Sequence, residues 1–195
     1  MRLLLLHAFP LDPSMWDAQR PVLDGHEVVA PSLYQRGNTM DQWADSLLAE
    51  LEGPFDACVG ASMGGGAALA LARKRPGLIG ALVLAGAHAG PDAPERRRQR
   101  AEQLEQYRDE PEKVAIVEAL RDRPDDRAVV ASFPRPLLVV AGGDDPMIDL
   151  AAAHALAASA PDGRFVLIEG AGHLVSLDDP DAFNAVLADF LEELA

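Results

Sequence analysis

The chain contains a single cysteine, Cys58, and no long hydrophobic run. One cysteine can form neither an intramolecular disulfide nor a zinc site built on cysteine ligands, and its apolar setting predicts a small core residue. No apolar run approaches the roughly 18 residues that indicate a membrane span. The run after Arg2 is too short for a secretory signal and lacks a small-residue cleavage site. We therefore expect a soluble chain retained in the cytoplasm.

Positive charge is also scarce. The chain has 17 Lys and Arg against 31 Asp and Glu, a formal net charge of -14. Such a surface repels phosphate backbones, which argues against a nucleic-acid partner. The only dense basic run, Arg96, Arg97, Arg98 and Arg100, is followed by acidic residues, and we interpret it as a solvent-exposed helix face.

The length of 195 residues suits one domain, residues 1–195, with a sizeable core. Six short apolar runs have the character of strands buried on both faces: Leu3–Leu6, Val28–Ala30, Ala57–Val59, Leu82–Leu84, Leu137–Ala141 and Phe165–Ile168. Helical spacing is clearest in four stretches between or after them: Met40–Leu51, Gly65–Arg75, Leu150–Ala158 and Asp181–Leu194. This alternation predicts a parallel sheet with helices on both faces.

The interval between the fourth and fifth runs departs from the alternation. It predicts an insertion over residues 91–134 with two helices, of which only the second has an apolar stripe, formed by Val114, Val117 and Leu120. We interpret Pro124–Pro136 as a loop returning over the surface to the next strand.

A candidate nucleophile lies in the segment "VGASMGG". Gly60-Ala61-Ser62-Met63-Gly64 fits G-x-S-x-G, the nucleophile elbow, and the apolar run before it and the alanine-rich helix after it provide the expected strand-turn-helix context. A serine hydroxyl is a weak nucleophile at neutral pH, so this interpretation requires a histidine base and an acid that orients it.

The sequence offers both partners in the order that this elbow uses. His173 lies on a glycine-flanked loop after the last predicted strand, and Asp144 and Asp145 follow the fifth, although Gly-Gly-Asp-Asp-Pro is also strong turn chemistry. The other histidines have different predicted roles: a structural hydrogen bond for His7, a surface or packing role for His26 and His154, and for His88 a position where it could face the pocket.

Four segments, "LLLLHAFPLDPSMW", "VGASMGG", "LLVVAGGDDPMI" and "GAGHLVSLDDPDAFNAVLADFL", make the chain resemble the α/β-hydrolase fold, in its group of small esterases, enol-lactonases and haloperoxidase-like proteins. The resemblance implies Ser62 as nucleophile, His173 as base and Asp145 as acid, with Asp144 as the alternative acid. It further implies an oxyanion hole formed by the backbone amides of Phe9 and Met63, and no metal or other cofactor.

The sequence departs from the family pattern at two places that affect the site. Ala8 stands where glycine is usual, so the loop must adopt a conformation that tolerates a Cβ atom. The helical cap is also reduced, which predicts a more open pocket and broader acyl specificity. We name six candidate pocket residues, of which Met15 and Trp16 could equally belong to the core: Phe9, Met15, Trp16, Met63, Met147 and Leu174.

These observations predict a hydrolase that cleaves carboxylic esters or related acyl compounds of small molecules. A lactonase, a thioesterase or a carbon–carbon bond hydrolase would use the same triad, because the pocket and not the triad selects the substrate. A protein of the same fold that binds a small ligand without catalysis is the alternative from another functional class.

Overall fold

The computed structural model describes all 195 residues and contains one six-stranded sheet. Its strands are β1 (Arg2–Leu6), β2 (Glu27–Val29), β3 (Ala57–Ala61), β4 (Leu82–Ala85), β5 (Leu137–Gly142) and β6 (Gly163–Ile168). The spatial order is β2-β1-β3-β4-β5-β6, and every neighbouring pair is parallel. The predicted α/β fold with a parallel sheet of six strands is confirmed.

Nine α-helices and one 3-10 helix, Pro13–Gln19, connect and cover the strands. The α-helices are α1 (Arg20–Leu23), α2 (Met40–Glu50), α3 (Met63–Lys74), α4 (Pro94–Gln106), α5 (Pro111–Arg121), α6 (Arg127–Ala131), α7 (Leu150–Ser159), α8 (Val175–Asp178) and α9 (Pro180–Glu192). Side-chain caps define three of the helix starts, since Thr39, Asp149 and Asp179 each accept a hydrogen bond from an amide of the first turn.

The alternation of side chains along each strand divides the core into two layers. In β1, Leu4 and Leu6 pack with residues of α2, α3 and α7 on one face of the sheet. Leu3 and Leu5 pack on the other face with residues of the 3-10 helix, α8 and α9. Successive strand side chains point to opposite faces, so a strand apolar on both faces must be covered on both.

The two edge strands correct the expectation that every strand is buried on both faces. In β2, Glu27 and Val28 are exposed, and in β6 only Ile168 is fully buried. Each edge strand has a neighbouring strand on one side only. The short apolar run alone did not distinguish an edge strand from a central one.

The segment between β4 and β5 holds three helices instead of the two predicted. Besides α4 and α5, a third helix, α6, lies within Pro124–Pro136, where a loop was expected, and it buries Val130. No side chain caps its start. Instead, Asp126 is bonded to Arg73 of α3 and its amide donates to the carbonyl of Ala89. Because tertiary contacts hold α6, local sequence signals did not reveal it.

Candidate active site

Ser62 occupies a sharp turn between β3 and α3. β3 ends at Ala61 and α3 begins at Met63, and the single residue between them has φ +48° and ψ -107°. This left-handed backbone conformation is rare for a residue with a side chain and costs on the order of 1–3 kcal/mol. The Ser62 amide donates to the carbonyl of Ala85 on β4 at 2.8 Å, which anchors the turn to the sheet.

The two glycines of the motif allow the turn to pack closely. A Cβ atom on Gly64 would lie 2.0 Å from the carbonyl oxygen of Leu6, and one on Gly60 would lie 2.6 Å from the carbonyl oxygen of Gly64. Both contacts are with backbone atoms, which cannot rotate away as a side chain can. The close approach of β1, β3 and α3 therefore requires glycine at both positions.

Three predicted side chains form one chain of hydrogen bonds. The Ser62 Oγ lies 2.8 Å from His173 Nε2, and His173 Nδ1 lies 2.8 Å from Asp145 Oδ2. His173 is in the loop after β6, and Asp145 is in the loop after β5. The carboxyl ends of these parallel strands meet at one edge of the sheet, which brings together residues that are 28 and 111 positions apart.

Of the two candidate acids, the structure places Asp145 beside the imidazole. Its side chain is 0% exposed, and its second oxygen, Oδ1, accepts the amides of Met147 at 2.7 Å and Ile148 at 3.3 Å. Asp144 is exposed, and its amide donates to the carbonyl of Ala171. Asp144 thus contributes to the turn, while Asp145 contacts His173.

The backbone amides of Phe9 and Met63 belong to residues that line the same pocket as Ser62. Neither amide donates a hydrogen bond within the chain. Ala8, which stands where glycine was expected, is fully buried and does not have a positive φ. Its methyl group is accommodated in the core layer that contains Leu3 and Leu5.

His7 is buried next to the site but has a structural role. Its Nε2 accepts the amide of Leu33 at 2.8 Å, and its Nδ1 donates to the carbonyl of Ala8 at 3.0 Å. Both ring nitrogens are therefore used by the backbone. Burial lowers the pKa of His7 below its ordinary value. This arrangement agrees with the structural hydrogen bond expected for the residue.

The remaining candidates fall into two groups. The pocket is lined by Phe9, Met63, Met147 and His88. Leu174 does not line it, and Met15 and Trp16 are buried in the core. His26 lies 3.3 Å from the chain's terminal amine, and His154 packs edge-on against Phe165. The core alternative is thus the correct one for Met15 and Trp16.

The pocket above Ser62 has a volume of about 230 Å³. Helices α4 and α5 cover it, and Tyr107, just after α4, packs edge-on against Phe9 with ring centroids 6.0 Å apart. A larger groove of about 860 Å³ lies between α4 and α7. The two spaces share a wall that includes His88, Arg96 and Met147.

Arginines of the covering segment line the pocket, which the sequence did not predict. Arg96, Arg100 and Arg123 line it, and the Arg100 side chain is only 8% exposed. The expectation that the basic run forms a solvated helix face is therefore wrong for Arg96 and Arg100. It holds for Arg97 and Arg98, which are exposed. The sequence did contain a signal for this polar lining. The helix has four arginines and lacks an apolar stripe, so the face that it turns toward the pocket had to be polar.

A buried carboxylate partly balances these arginines. Asp92, whose side chain is 0% exposed, lies 3.2 Å from Arg100 and 3.1 Å from Arg123. Burial opposes ionisation of Asp92, but contact with His88 and the charges of Arg123 and Arg100 outweigh it, so its pKa lies below the ordinary value. Burial lowers the pKa of Arg123 to about 10. Asp92 and Arg123 therefore remain charged near neutral pH.

Two further structural features bear on binding. The chain has no group of three or more His, Cys, Asp or Glu side chains arranged to hold a metal ion. None of its helices is both long enough and apolar enough to cross a membrane.

Comparison with known proteins extends the likeness over almost the whole chain. The chain is 30% identical to a pimeloyl-[acyl-carrier protein] methyl ester esterase from Aromatoleum aromaticum, over 96% of each chain. A thermophilic esterase from Thermogutta terrifontis superposes with a TM-score of 0.88 at 28% identity, covering all of this chain and 90% of that one. An enol-lactonase from Burkholderia xenovorans, at 21% identity, has the same fold, with a TM-score of 0.83 over 98% of this chain and 91% of that one.

The model of the Alpha/beta hydrolase family matches residues 3–186, which include residues of all six strands and the loops carrying Ser62, Asp145 and His173. Because this match covers most of the chain and the sheet has the corresponding topology, the chain belongs to the α/β-hydrolase family.

Proposed function

We propose that this protein hydrolyses carboxylic esters through Ser62, His173 and Asp145. The observation that carries the proposal is the series of hydrogen bonds from Ser62 Oγ through His173 to Asp145. Ser62 and His173 line the covered pocket. Esterases among the relatives that match nearly the full chain support an ester as the substrate class. Recognition of a triad rests on geometry and roles, and this geometry has the required order of contacts.

In the first half-reaction, His173 Nε2 takes the proton of the Ser62 hydroxyl as Oγ attacks the acyl carbon. His173 can accept this proton only if its other nitrogen, Nδ1, carries the ring hydrogen. The Asp145 carboxylate, 2.8 Å from Nδ1, selects this tautomer and stabilises the imidazolium that forms. The proton then passes from Nε2 to the leaving alkoxide, and an acyl-enzyme remains on Ser62.

The negative charge that develops on the carbonyl oxygen needs donors that are in place before the reaction. The amides of Phe9 and Met63 suit this task because both residues line the pocket and both N–H groups lack an acceptor in the chain. Loss of one such donor typically costs about 3 kcal/mol of transition-state stabilisation.

In the second half-reaction, water replaces the alcohol. His173 Nε2 takes a proton from the water as its oxygen attacks the acyl carbon of the ester on Ser62. Collapse of the tetrahedral intermediate breaks the bond to Oγ, and Nε2 returns the proton to Ser62. The products are one carboxylic acid and one alcohol, and the free enzyme is regenerated.

Labelling with a fluorophosphonate probe tests the proposed nucleophile. We expect wild-type protein to be labelled at Ser62, Ser62→Ala to be unlabelled, and His173→Ala to be labelled far more slowly, because its serine has no base. Ser132→Ala, which removes an exposed serine hydroxyl directly after α6, is the matched control and should label like wild type. Labelling that persists in Ser62→Ala, or its absence from folded wild-type protein, would contradict the proposal.

A panel of small esters, thioesters and lactones of graded chain length then tests the bond that is cleaved. We expect the highest kcat/KM for oxygen esters of short acyl chains, because the pocket above Ser62 is only about 230 Å³. A lactone or thioester that exceeds every acyclic oxygen ester in kcat/KM would assign the protein to one of the other hydrolase activities.

A further inference from the structure

The charge of the pocket is opposite to that of the protein as a whole. The chain carries 31 acidic and 17 basic residues, yet the residues that line the pocket above Ser62 include three arginines and no aspartate or glutamate. The only carboxylate in contact with this cluster is that of Asp92, which lies behind it and is already held by Arg100 and Arg123. Among the residues that line the pocket, the formal charge is therefore positive.

The three arginines differ in how far their hydrogen-bonding capacity is used. Arg123 donates to the carbonyl of Leu120 and to His88, and it pairs with Asp92. Arg100 pairs with Asp92 and donates to Gln103 through Nη1. Both guanidinium groups are therefore held in position.

Arg96 is different, because no hydrogen bond or ion pair within the chain involves its guanidinium. It is half-buried in the wall that the pocket shares with the larger groove. A partly buried cation beside two other arginines is electrostatically unfavourable unless an anion joins it.

We propose that Arg96, which lines the pocket beside the fixed guanidinium groups of Arg100 and Arg123, binds a carboxylate carried by the ester substrate. The guanidinium presents several N–H donors in one plane and matches a carboxylate with two parallel hydrogen bonds. This assignment rests on the proposed ester hydrolysis at Ser62 and specifies its substrate class as short esters that carry a free carboxylate. The small pocket favours a carboxylate only a few atoms from the reacting carbonyl.

The carboxylate could belong to the acyl part or to the alcohol part of the ester, and two pairs of compounds distinguish these sources. Monomethyl glutarate against its neutral amide analogue, methyl glutaramate, tests the acyl side. Acetoxyacetate against acetoxyacetamide tests the alcohol side. We expect wild-type protein to prefer the anionic member of at least one pair in kcat/KM, measured from released methanol or acetate by NMR.

Two variants on the same helix then assign the preference. Arg96→Gln should lower the ratio of kcat/KM for the anionic over the neutral member by about tenfold, the loss expected for a charged hydrogen bond at a partly exposed site. Arg98→Gln removes the same charge from the exposed face and should keep the wild-type ratio. The assignment is wrong if wild-type protein does not prefer the anionic member of either pair. It is also wrong if Arg96→Gln and Arg98→Gln have the same anionic-to-neutral ratios of kcat/KM.

Binding of glutarate separates this assignment from the proposed function. Calorimetry on Ser62→Ala protein should show binding of glutarate and no comparable binding of glutaramide. Adding Arg96→Gln should weaken the affinity for glutarate by about tenfold. If none of the four esters is hydrolysed but this pattern is observed, the proposed function fails while the carboxylate site stands. If esters are hydrolysed without charge preference and glutarate does not bind, the carboxylate site fails alone.

Discussion

Replacing Asp145 by asparagine tests how the acid acts on the histidine. The two oxygens of Asp145 have separate tasks, since Oδ1 accepts the amides of Met147 and Ile148 and Oδ2 contacts His173 Nδ1. In Asp145→Asn, the amide oxygen must stay with the two backbone N–H groups, because an NH2 group there would face two donors. The side-chain NH2 is thereby directed at His173 and donates to Nδ1. His173 then carries its hydrogen on Nε2 and cannot accept the proton of Ser62.

The size of the loss follows from this change of tautomer. The shape of the side chain and two of its three hydrogen bonds are retained, so we expect the melting temperature to change little. The reaction loses its general base and the stabilisation of the imidazolium, which together are worth a factor of about 10³–10⁴ in kcat. This factor corresponds to about 4–5.5 kcal/mol at 1.36 kcal/mol for each tenfold change.

The measurement is kcat for an activated acetate ester, with the rate of fluorophosphonate labelling as a second readout. Asp144→Asn is the matched control, because it makes the same substitution on the neighbouring, exposed residue and should stay within about threefold of wild type. The reasoning is refuted if Asp145→Asn keeps more than a tenth of wild-type kcat, or if Asp144→Asn loses as much.

Three further predictions concern stability. Gly64→Ala should destabilise the fold by about 3 kcal/mol or more in urea unfolding, since its Cβ would lie 2.0 Å from a backbone oxygen, whereas Gly77→Ala has open space and should be close to neutral. Burial holds the pKa of His7 in the folded protein below 6.5, so as the pH falls the imidazole is protonated in the unfolded chain before it is protonated in the folded one. The free energy of unfolding should therefore fall as the pH drops below about 6.5. His7→Gln should show a smaller loss between about pH 7.5 and 5.5; an equal loss would exclude His7 as a source. Burial raises the pKa of the Cys58 thiol, so DTNB should react with it only as the protein unfolds; rapid reaction of the native protein would contradict its core position.

Much of the fold could be predicted because local patterns carry it. Each central strand is a short apolar run, and the start of α9 is marked by Asp179 and Pro180, where a capping carboxylate precedes the proline of the first turn. Helix α6 could not be predicted in this way. It depends on Asp126 meeting Arg73, a residue 53 positions earlier in the chain.

The same distinction between local patterns and tertiary contacts applies to the candidate site. G-x-S-x-G specifies a backbone conformation at Ser62 within five residues, so the sequence alone identified the elbow, and the order of serine, aspartate and histidine pointed to the loops after β5 and β6. The residues alone left both Asp144 and Asp145 open, and the family resemblance favoured Asp145. The tertiary structure shows the difference between these adjacent residues, since only the Asp145 side chain points at His173.

The sequence alone was also sufficient for the α/β class, since it depends on hydrophobic periodicity, which every residue of a strand or helix carries. Only the tertiary structure revealed the charge of the pocket. Arg96 and Arg98 are chemically identical and two positions apart, yet one lines the pocket and the other is exposed. The rotation of about 200° between positions i and i+2 of a helix separates them, and the packing of α4 over the site decides which of the two faces the pocket.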